Sequence, residues 1–120
     1  MRKLILISSI IFSFNSWAYN ETDLAKFRSL LNACESCDLS AADLSGANLY
    51  GADLSGANLR DASLYRVNLR ATNLIDANLS GANLSGANLT GANLKYAILD
   101  GAKYCKTQMP WGEVNDYCEE

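Results

Sequence analysis

Leucine recurs at every fifth residue through the middle of the chain. On an α-helix of about 3.6 residues per turn, successive leucines at this spacing would be rotated by about 140° and could not share one stripe. On a flat strand, the odd spacing would direct them alternately to opposite faces. The pattern therefore predicts a backbone that turns a corner every five residues and directs each leucine toward a common axis. Thirteen leucines keep this spacing: Leu39, Leu44, Leu49, Leu54, Leu59, Leu64, Leu69, Leu74, Leu79, Leu84, Leu89, Leu94 and Leu99.

The other positions of the repeat are nearly as regular, as residues 80–94 (SGANLSGANLTGANL) illustrate. Alanine usually stands two residues before the leucine, which predicts a second inward position in a narrow interior. Asparagine or aspartate usually comes directly before the leucine, and these short polar side chains hydrogen-bond local backbone and favour turns. Glycine often comes two residues after the leucine, where the absence of Cβ permits a tight corner.

The recurring phrase A(D/N)LSG resembles the pentapeptide-repeat family, over fourteen near-repeats within residues 37–104. The resemblance implies an all-β fold, a right-handed quadrilateral β-helix with four pentapeptides per coil and about 3.5 coils. Residues twenty apart would then lie above one another, with the leucines stacked in ladders. Because each coil buries its leucines only against its neighbours, every repeat has nearly the same environment and accepts nearly the same residues.

The start of the chain has the layout of a secretory signal peptide. A basic start at Arg2 and Lys3 is followed by an apolar stretch over residues 4–14 and by small residues around Ala18. About eleven apolar residues are fewer than the ~20 that span a bilayer, so a membrane anchor is not favoured. We expect cleavage of residues 1–18 and export, to a bacterial periplasm or out of the cell.

The two ends of the solenoid need covers, because they would otherwise expose apolar core and unpaired strand edges. Residues 19–36 are expected to form an N-terminal helical cap, since apolar residues recur at helical spacing from Leu24 to Leu31. The repeat breaks after Tyr104, and residues 105–120 (CKTQMPWGEVNDYCEE) are expected to form a C-terminal cap, a loop closed by a disulfide.

Four cysteines in an exported chain favour two disulfides, with three possible connectivities. On the solenoid that the resemblance implies, Cys37 and Cys105 would be about 16 Å apart at ~4.8 Å per coil, beyond the ~7 Å that a disulfide allows between Cα atoms. The resemblance therefore implies the pairs Cys34–Cys37 and Cys105–Cys118.

Two other interpretations of the Cys34-Glu35-Ser36-Cys37 segment remain. A thiol-disulfide redox pair would need the strand-to-helix setting of thioredoxin-like folds, which the surrounding sequence does not offer. A four-ligand zinc site would need all four cysteines, because the chain contains no histidine.

Composition argues against catalysis and against nucleic acid as a partner. The chain has no histidine, the commonest general base, and no motif for a metal or cofactor. It carries 10 Lys and Arg against 13 Asp and Glu, and cleavage of the leader would remove two of the basic residues. Nucleic-acid binding depends on clustered cations, and nothing indicates a membrane surface once the leader is removed. We expect a structural or protein-interaction module without catalysis or cofactor, whose partner is an unidentified protein.

The repeat is least regular over residues 60–76 (RDASLYRVNLRATNLID). On the solenoid, Tyr50 would lie directly below Arg70 on one face, with Tyr65 and Arg66 on the adjoining face. Tyrosine and arginine are enriched at protein interfaces, so these four residues form a candidate interaction patch. The alternative is tolerated variation at exposed positions.

A different function, found in another branch of the family, is DNA mimicry by a solenoid that binds gyrase. Such mimicry would need lengthwise rows of acidic side chains. Here Asp38, Asp43 and Asp53 all fall in the first coil, and the later positions are mostly neutral asparagine. The leader would also carry the chain away from gyrase.

Overall fold

The computed structural model describes residues 5–7, 10–12, 34–116 and 118. From Cys34 onward the chain winds into a solenoid whose coils are joined by parallel bridges between residues twenty apart, from Asp38 with Asn58 to Asn88 with Gln108. Four pentapeptides therefore complete one coil. The described residues contain strands, bridges and turns but no helix.

Backbone hydrogen bonds join each repeat to the next coil. The N–H groups of Leu64 and Arg66 donate to the carbonyls of Asn83 and Ser85, at 2.8 and 2.9 Å. The Asn83 N–H donates back to the Ala62 carbonyl at 3.0 Å, and the same set recurs along the solenoid. Because nearly every buried backbone group needs a partner, this pairing fixes the coils in register at twenty residues.

Each corner is a hydrogen-bonded turn of four residues. The Ala62 N–H, for example, donates to the Leu59 carbonyl at 3.1 Å, and Asp61 between them has a φ of +57°. A positive φ at the third residue is the requirement of a type II turn and explains the glycines at this position. The asparagine or aspartate that precedes most of the leucines supports the next corner, as where Asn68 Oδ1 accepts the Arg70 N–H at 3.1 Å.

The interior is filled by the leucine ladders, and every leucine from Leu39 to Leu89 in the five-residue series is fully buried. The alanine positions form the second inward row. Thr72 and Thr107 replace alanine there, and each buried hydroxyl donates at 2.8 Å to a leucine carbonyl of the coil below. Because each hydroxyl has a hydrogen-bond acceptor, its burial in the apolar core is not penalised by an unpaired polar group.

The C-terminal tail first continues the solenoid and then reverses direction. Tyr104 and Met109 keep the inward spacing of five, and Met109 is buried. Strand β3 (Thr107–Met109) bridges to the coil below through Gln108, and it pairs in an antiparallel hairpin with β4 (Gly112–Val114). The hairpin therefore covers the last coil on one side.

In the expected leader, β1 (Ile5–Ile7) and β2 (Ile10–Phe12) form an antiparallel hairpin. The remaining leader residues and residues 19–33 of the expected helical cap lie outside the described residues. Within the described part of the chain, no helix is long and apolar enough to cross a membrane.

Candidate interaction surface

The coil has four sides, and each side presents one outward residue per coil, the residue before the inward leucine. We number the sides from the start of the solenoid, so that the third side carries an outward column of amides: Asn48, Asn68, Asn88 and Gln108. Asn68 Nδ2 donates to Asn48 Oδ1 at 3.1 Å within this column. The two residues after each leucine form the edges between sides.

One edge of the third side carries Tyr65 and Arg66. Tyr65 is 43% exposed, and the guanidinium carbon of Arg66 lies 5.2 Å from the centroid of its ring. Arg66 has a φ of +56°, the turn conformation that glycine takes at this position in other repeats. The contact is a cation–π pair on the solvent side of the coil.

The other edge of the third side carries Tyr50 and Arg70, which belong to successive coils. Tyr50 is 59% exposed, and the guanidinium carbon of Arg70 lies 6.0 Å from the centroid of its ring. The twenty-residue period explains the pairing, because Arg70 stands one coil above Tyr50. The structure thus gathers the four residues of the candidate patch into two tyrosine–arginine pairs, on either side of the amide column.

A further cation extends the edge of Tyr65 toward the C-terminal end. Lys106 is exposed and stands two coils above Arg66, with Gly86 between them. We call the third side with its two edges the basic face: residues 45–51, 65–71, 85–91 and 105–111. The basic face contains three cations, Arg66, Arg70 and Lys106, and no carboxylate.

The tail hairpin contributes β3 to the basic face, and β4 borders the face at its C-terminal end. Trp111, in the turn between β3 and β4, is 67% exposed. Strand β4 carries one carboxylate, Glu113, opposite Gln108 in the hairpin register. Its oxygens accept from Gln108 Nε2 at 2.7 Å and from Asn115 Nδ2 at 2.8 Å.

A groove of about 300 Å³ lies along the edge of Tyr65. It is lined by Tyr65, Arg66, Ser85, Gly86, Cys105 and Lys106. Gly86 has a φ of +71°, and a Cβ there would come within 2.9 Å of Arg66 Cγ. The glycine therefore leaves room for the stem of Arg66 and keeps the space between the two cations open.

Sequence comparison identifies the repeat. A sequence profile of pentapeptide repeats, in eight copies, matches residues 37–74 and 72–103. The chain belongs to the pentapeptide-repeat family. Its fold is accordingly the right-handed β-helix of that family.

Three solved pentapeptide-repeat proteins are similar to this one. Rfr23 from the cyanobacterium Cyanothece 51142 is 40% identical over 62% of this chain and 55% of its own, with a TM-score of 0.39. HetL from Nostoc sp. strain PCC 7120, involved in heterocyst differentiation regulation, is 37% identical over 68% of this chain and 42% of its own, with a TM-score of 0.43. The protein alr5209 from Nostoc PCC 7120 is 32% identical over 81% of this chain and 86% of its own, with a TM-score of 0.41.

The chain spans about half the length of Rfr23 and HetL. No curated protein matches it.

The pentapeptide-repeat protein contains two disulfides, Cys34–Cys37 and Cys105–Cys118, with Cα atoms 5.4 and 4.8 Å apart. Cys34 and Cys37 occupy an inward leucine position and the following alanine position, and both are buried. The Cys37 N–H donates to the Cys34 carbonyl at 3.3 Å, as at the other corners. Thiol exchange requires an accessible sulfur, so this buried position suits a structural link.

A second concavity of the pentapeptide-repeat protein, about 540 Å³, lies on the second side near the C-terminal end. Tyr104 lines it from an inward position where the lower coils have leucine. Burial, and next the negative charge of Asp116, raise the pKa of the Tyr104 phenol above its ordinary value. The phenol is therefore a neutral hydrogen-bonding group at physiological pH.

Among the described residues of the pentapeptide-repeat protein, two carboxylates of the first coil are held apart by the fold. Asp43 and Asp53 lie on the second and fourth sides, which face opposite directions. No cluster of three or more Cys, Asp or Glu residues that could hold a metal occurs within the described ranges.

Sequence reasoning missed Lys106 and Trp111 as neighbours of the candidate patch. Both lie beyond Tyr104, where the leucine signal ends. The five-residue spacing continues from Leu99 through Tyr104 to Met109 and could have indicated that the solenoid extends this far. This spacing places Lys106 on the same edge as Arg66.

Proposed function

We propose that this protein is an exported, non-catalytic module that binds a partner protein through Tyr50, Tyr65, Arg66 and Arg70. The observation that carries the proposal is the pair of exposed tyrosines, each with an arginine guanidinium against its ring. Tyrosine and arginine supply large contact area and directional hydrogen bonds, and they are enriched among the residues that dominate binding energy at protein interfaces.

The solenoid supports this function by holding the four side chains in fixed positions. Each belongs to a corner whose backbone is hydrogen-bonded to a neighbouring coil, as where the Gly51 N–H donates to the Arg70 carbonyl at 2.9 Å. A surface that is ordered before binding loses less conformational entropy when the partner arrives. The cation–π contacts restrict the arginines further.

The four-residue patch is tested by replacing Tyr50, Tyr65, Arg66 and Arg70 together by serine. We expect proteins that crosslink to the wild type in the periplasm of an exporting host to be lost from this variant. The matched control replaces two cations and two exposed apolar residues elsewhere: Arg60, Lys95, Tyr96 and Ile98. Capture of the same proteins by the patch variant, or their loss from the control, would contradict the proposal.

Export is supported by the signal-peptide layout of residues 1–18 and by two disulfides, which persist in oxidising compartments. Intact-mass analysis of protein from an exporting host should give an N-terminus at Tyr19 and no free thiol. An uncleaved chain with reduced cysteines would show that the proposed export is wrong.

The two alternative functions receive less support. DNA mimicry needs unbroken acidic rows, but the cations Arg60 and Lys95 lie among the carboxylates along the edges of the first side. Redox chemistry through Cys34 and Cys37 needs an accessible sulfur, and both residues are buried.

A further inference from the structure

Charge is divided between opposite sides of the coils. The basic face on the third side has three cations and no carboxylate. The first side with its two edges, which we call the acidic face, points the opposite way and comprises residues 35–41, 55–61, 75–81 and 95–101. It carries five carboxylates and two cations: Glu35, Asp38, Asp61, Asp76, Asp100, Arg60 and Lys95.

The arginines of the basic face contact aromatic rings. The guanidinium carbons of Arg66 and Arg70 lie 5.2 and 6.0 Å from the ring centroids. A cation–π contact leaves the guanidinium N–H donors available for a carboxylate. The whole chain has a net charge of −3, so the basic face stands out against the rest of the molecule.

The cations also have a regular spacing. Arg66 and Lys106 lie two coils apart on one edge, which is about 10 Å at ~4.8 Å per coil. The groove along this edge opens between them beside Gly86. In a segment with polyproline II conformation, which has three residues per turn and rises about 3.1 Å per residue, side chains three apart lie on the same side and about 9 Å apart.

We propose that the partner presents an acidic protein segment, with carboxylates about 10 Å apart, to the basic face. This inference rests on the proposed function and names the chemistry of its partner. Carboxylates of the segment contact Arg66, Arg70 and Lys106, and its apolar groups contact Tyr50 and Tyr65. The amide column between the edges offers donors and acceptors to the backbone of the segment.

The surroundings of the basic face limit the length of such a segment. Glu113 borders the face at its C-terminal end, where Gln108 and Asn115 already hydrogen-bond its oxygens. Asp43 and Asp53 lie on the two neighbouring sides. A segment that ran beyond the three cations would therefore meet carboxylates, whereas a short one avoids this repulsion.

A nucleic acid fits this face less well than a protein segment. Stable phosphate binding draws on many cations, and the basic face has three. A long polyanion would also extend to the carboxylates that surround the face. The observations therefore favour an acidic protein segment, and a nucleic acid becomes an outcome of the test.

The test is a titration of the ¹⁵N-labelled protein, followed by amide chemical shifts. The probe is a 13-residue peptide with glutamate at every third position, and its counterparts are the same peptide with glutamine and an oligothymidylate of eight nucleotides. We expect the acidic peptide to shift the amides of Tyr65, Arg66, Arg70 and Lys106, and the glutamine peptide to leave them unchanged. Added salt should weaken the binding.

Two charge-reversal variants change the net charge equally. Arg66→Glu with Arg70→Glu should weaken binding of the acidic peptide by about tenfold, since each exposed contact changes from attraction to repulsion. Arg60→Glu with Lys95→Glu, on the acidic face, should change it less than about twofold. Equal losses in the two variants, equal binding of the glutamine peptide, or tighter binding of oligothymidylate at this face would overturn the inference.

A comparison of the Arg66→Glu with Arg70→Glu variant and a second one, Tyr50→Ser with Tyr65→Ser, separates this inference from the proposed function. The tyrosine variant, Tyr50→Ser with Tyr65→Ser, could lose a crosslinked partner that the arginine variant, Arg66→Glu with Arg70→Glu, still binds. That result would mean that the patch binds a partner that is not acidic. In that case only the inference about the partner's charge is wrong. Where neither variant affects the partner, the proposed function is wrong as well.

Discussion

Deleting residues 74–93, one complete coil, should give a shorter solenoid that still folds. The deletion joins Asn73 to Leu94 and keeps every later residue in its inward or outward position. Asn58, which bridges to Asn78 in the full chain, would then lie below Ile98. The protein should lose stability because four buried leucines are removed, each worth about 1.5–3 kcal/mol.

Deleting residues 75–93, one residue fewer, should destroy the structure that follows the deletion. The register shifts by one position, so the inward positions now held by Leu99, Tyr104 and Met109 would be taken by their outward neighbours: Ile98, Lys103 and Gln108. Burial of an unpaired lysine is strongly unfavourable. Limited trypsin digestion should cut this variant at Lys103 and leave the 20-residue deletion intact there. If trypsin cut the two variants equally at Lys103, the twenty-residue register of the coils would be wrong.

The sequence was sufficient to predict most of the solenoid. Leucine can repeat every five residues only if each leucine has nearly the same surroundings, so the spacing itself implies a coil that stacks on copies of itself. The pairing of Tyr50 with Arg70 follows from the period of twenty that the resemblance to the pentapeptide-repeat family implied. The cysteine pairs in the structure are also those that the resemblance implied.

Other features could not be predicted because they depend on contacts between coils. Thr72 breaks the alanine pattern, and only the position of the Leu49 carbonyl explains why its hydroxyl can be buried. The division of charge was likewise hidden, since Arg66 and Lys106 are forty residues apart in the sequence. The division of charge becomes visible when the residues are assigned to the four sides.

The reversal of the chain at Trp111 breaks the five-residue period, so the spacing of the leucines could not indicate where Glu113 lies.

A second large effect is expected from Leu64→Ala. Leu64 is fully buried, with Leu44 below and Leu84 above in the same ladder. Removing its terminal groups leaves a cavity between rigidly spaced coils, which cannot collapse without breaking their backbone pairing. We expect the free energy of unfolding to fall by about 2–5 kcal/mol, as measured by denaturant titration.

The matched control for Leu64 is Leu99→Ala, at the last leucine of the series. Leu99 is only partly buried, and its side chain already contacts solvent near the C-terminal end. The same truncation there removes less buried apolar surface and opens no enclosed cavity, so it should cost less than half as much. If the two variants lost equal stability, burial in the ladder would not be what holds the coils together. A larger loss at Leu64 would show that each coil is stabilised chiefly by the leucines of its neighbours.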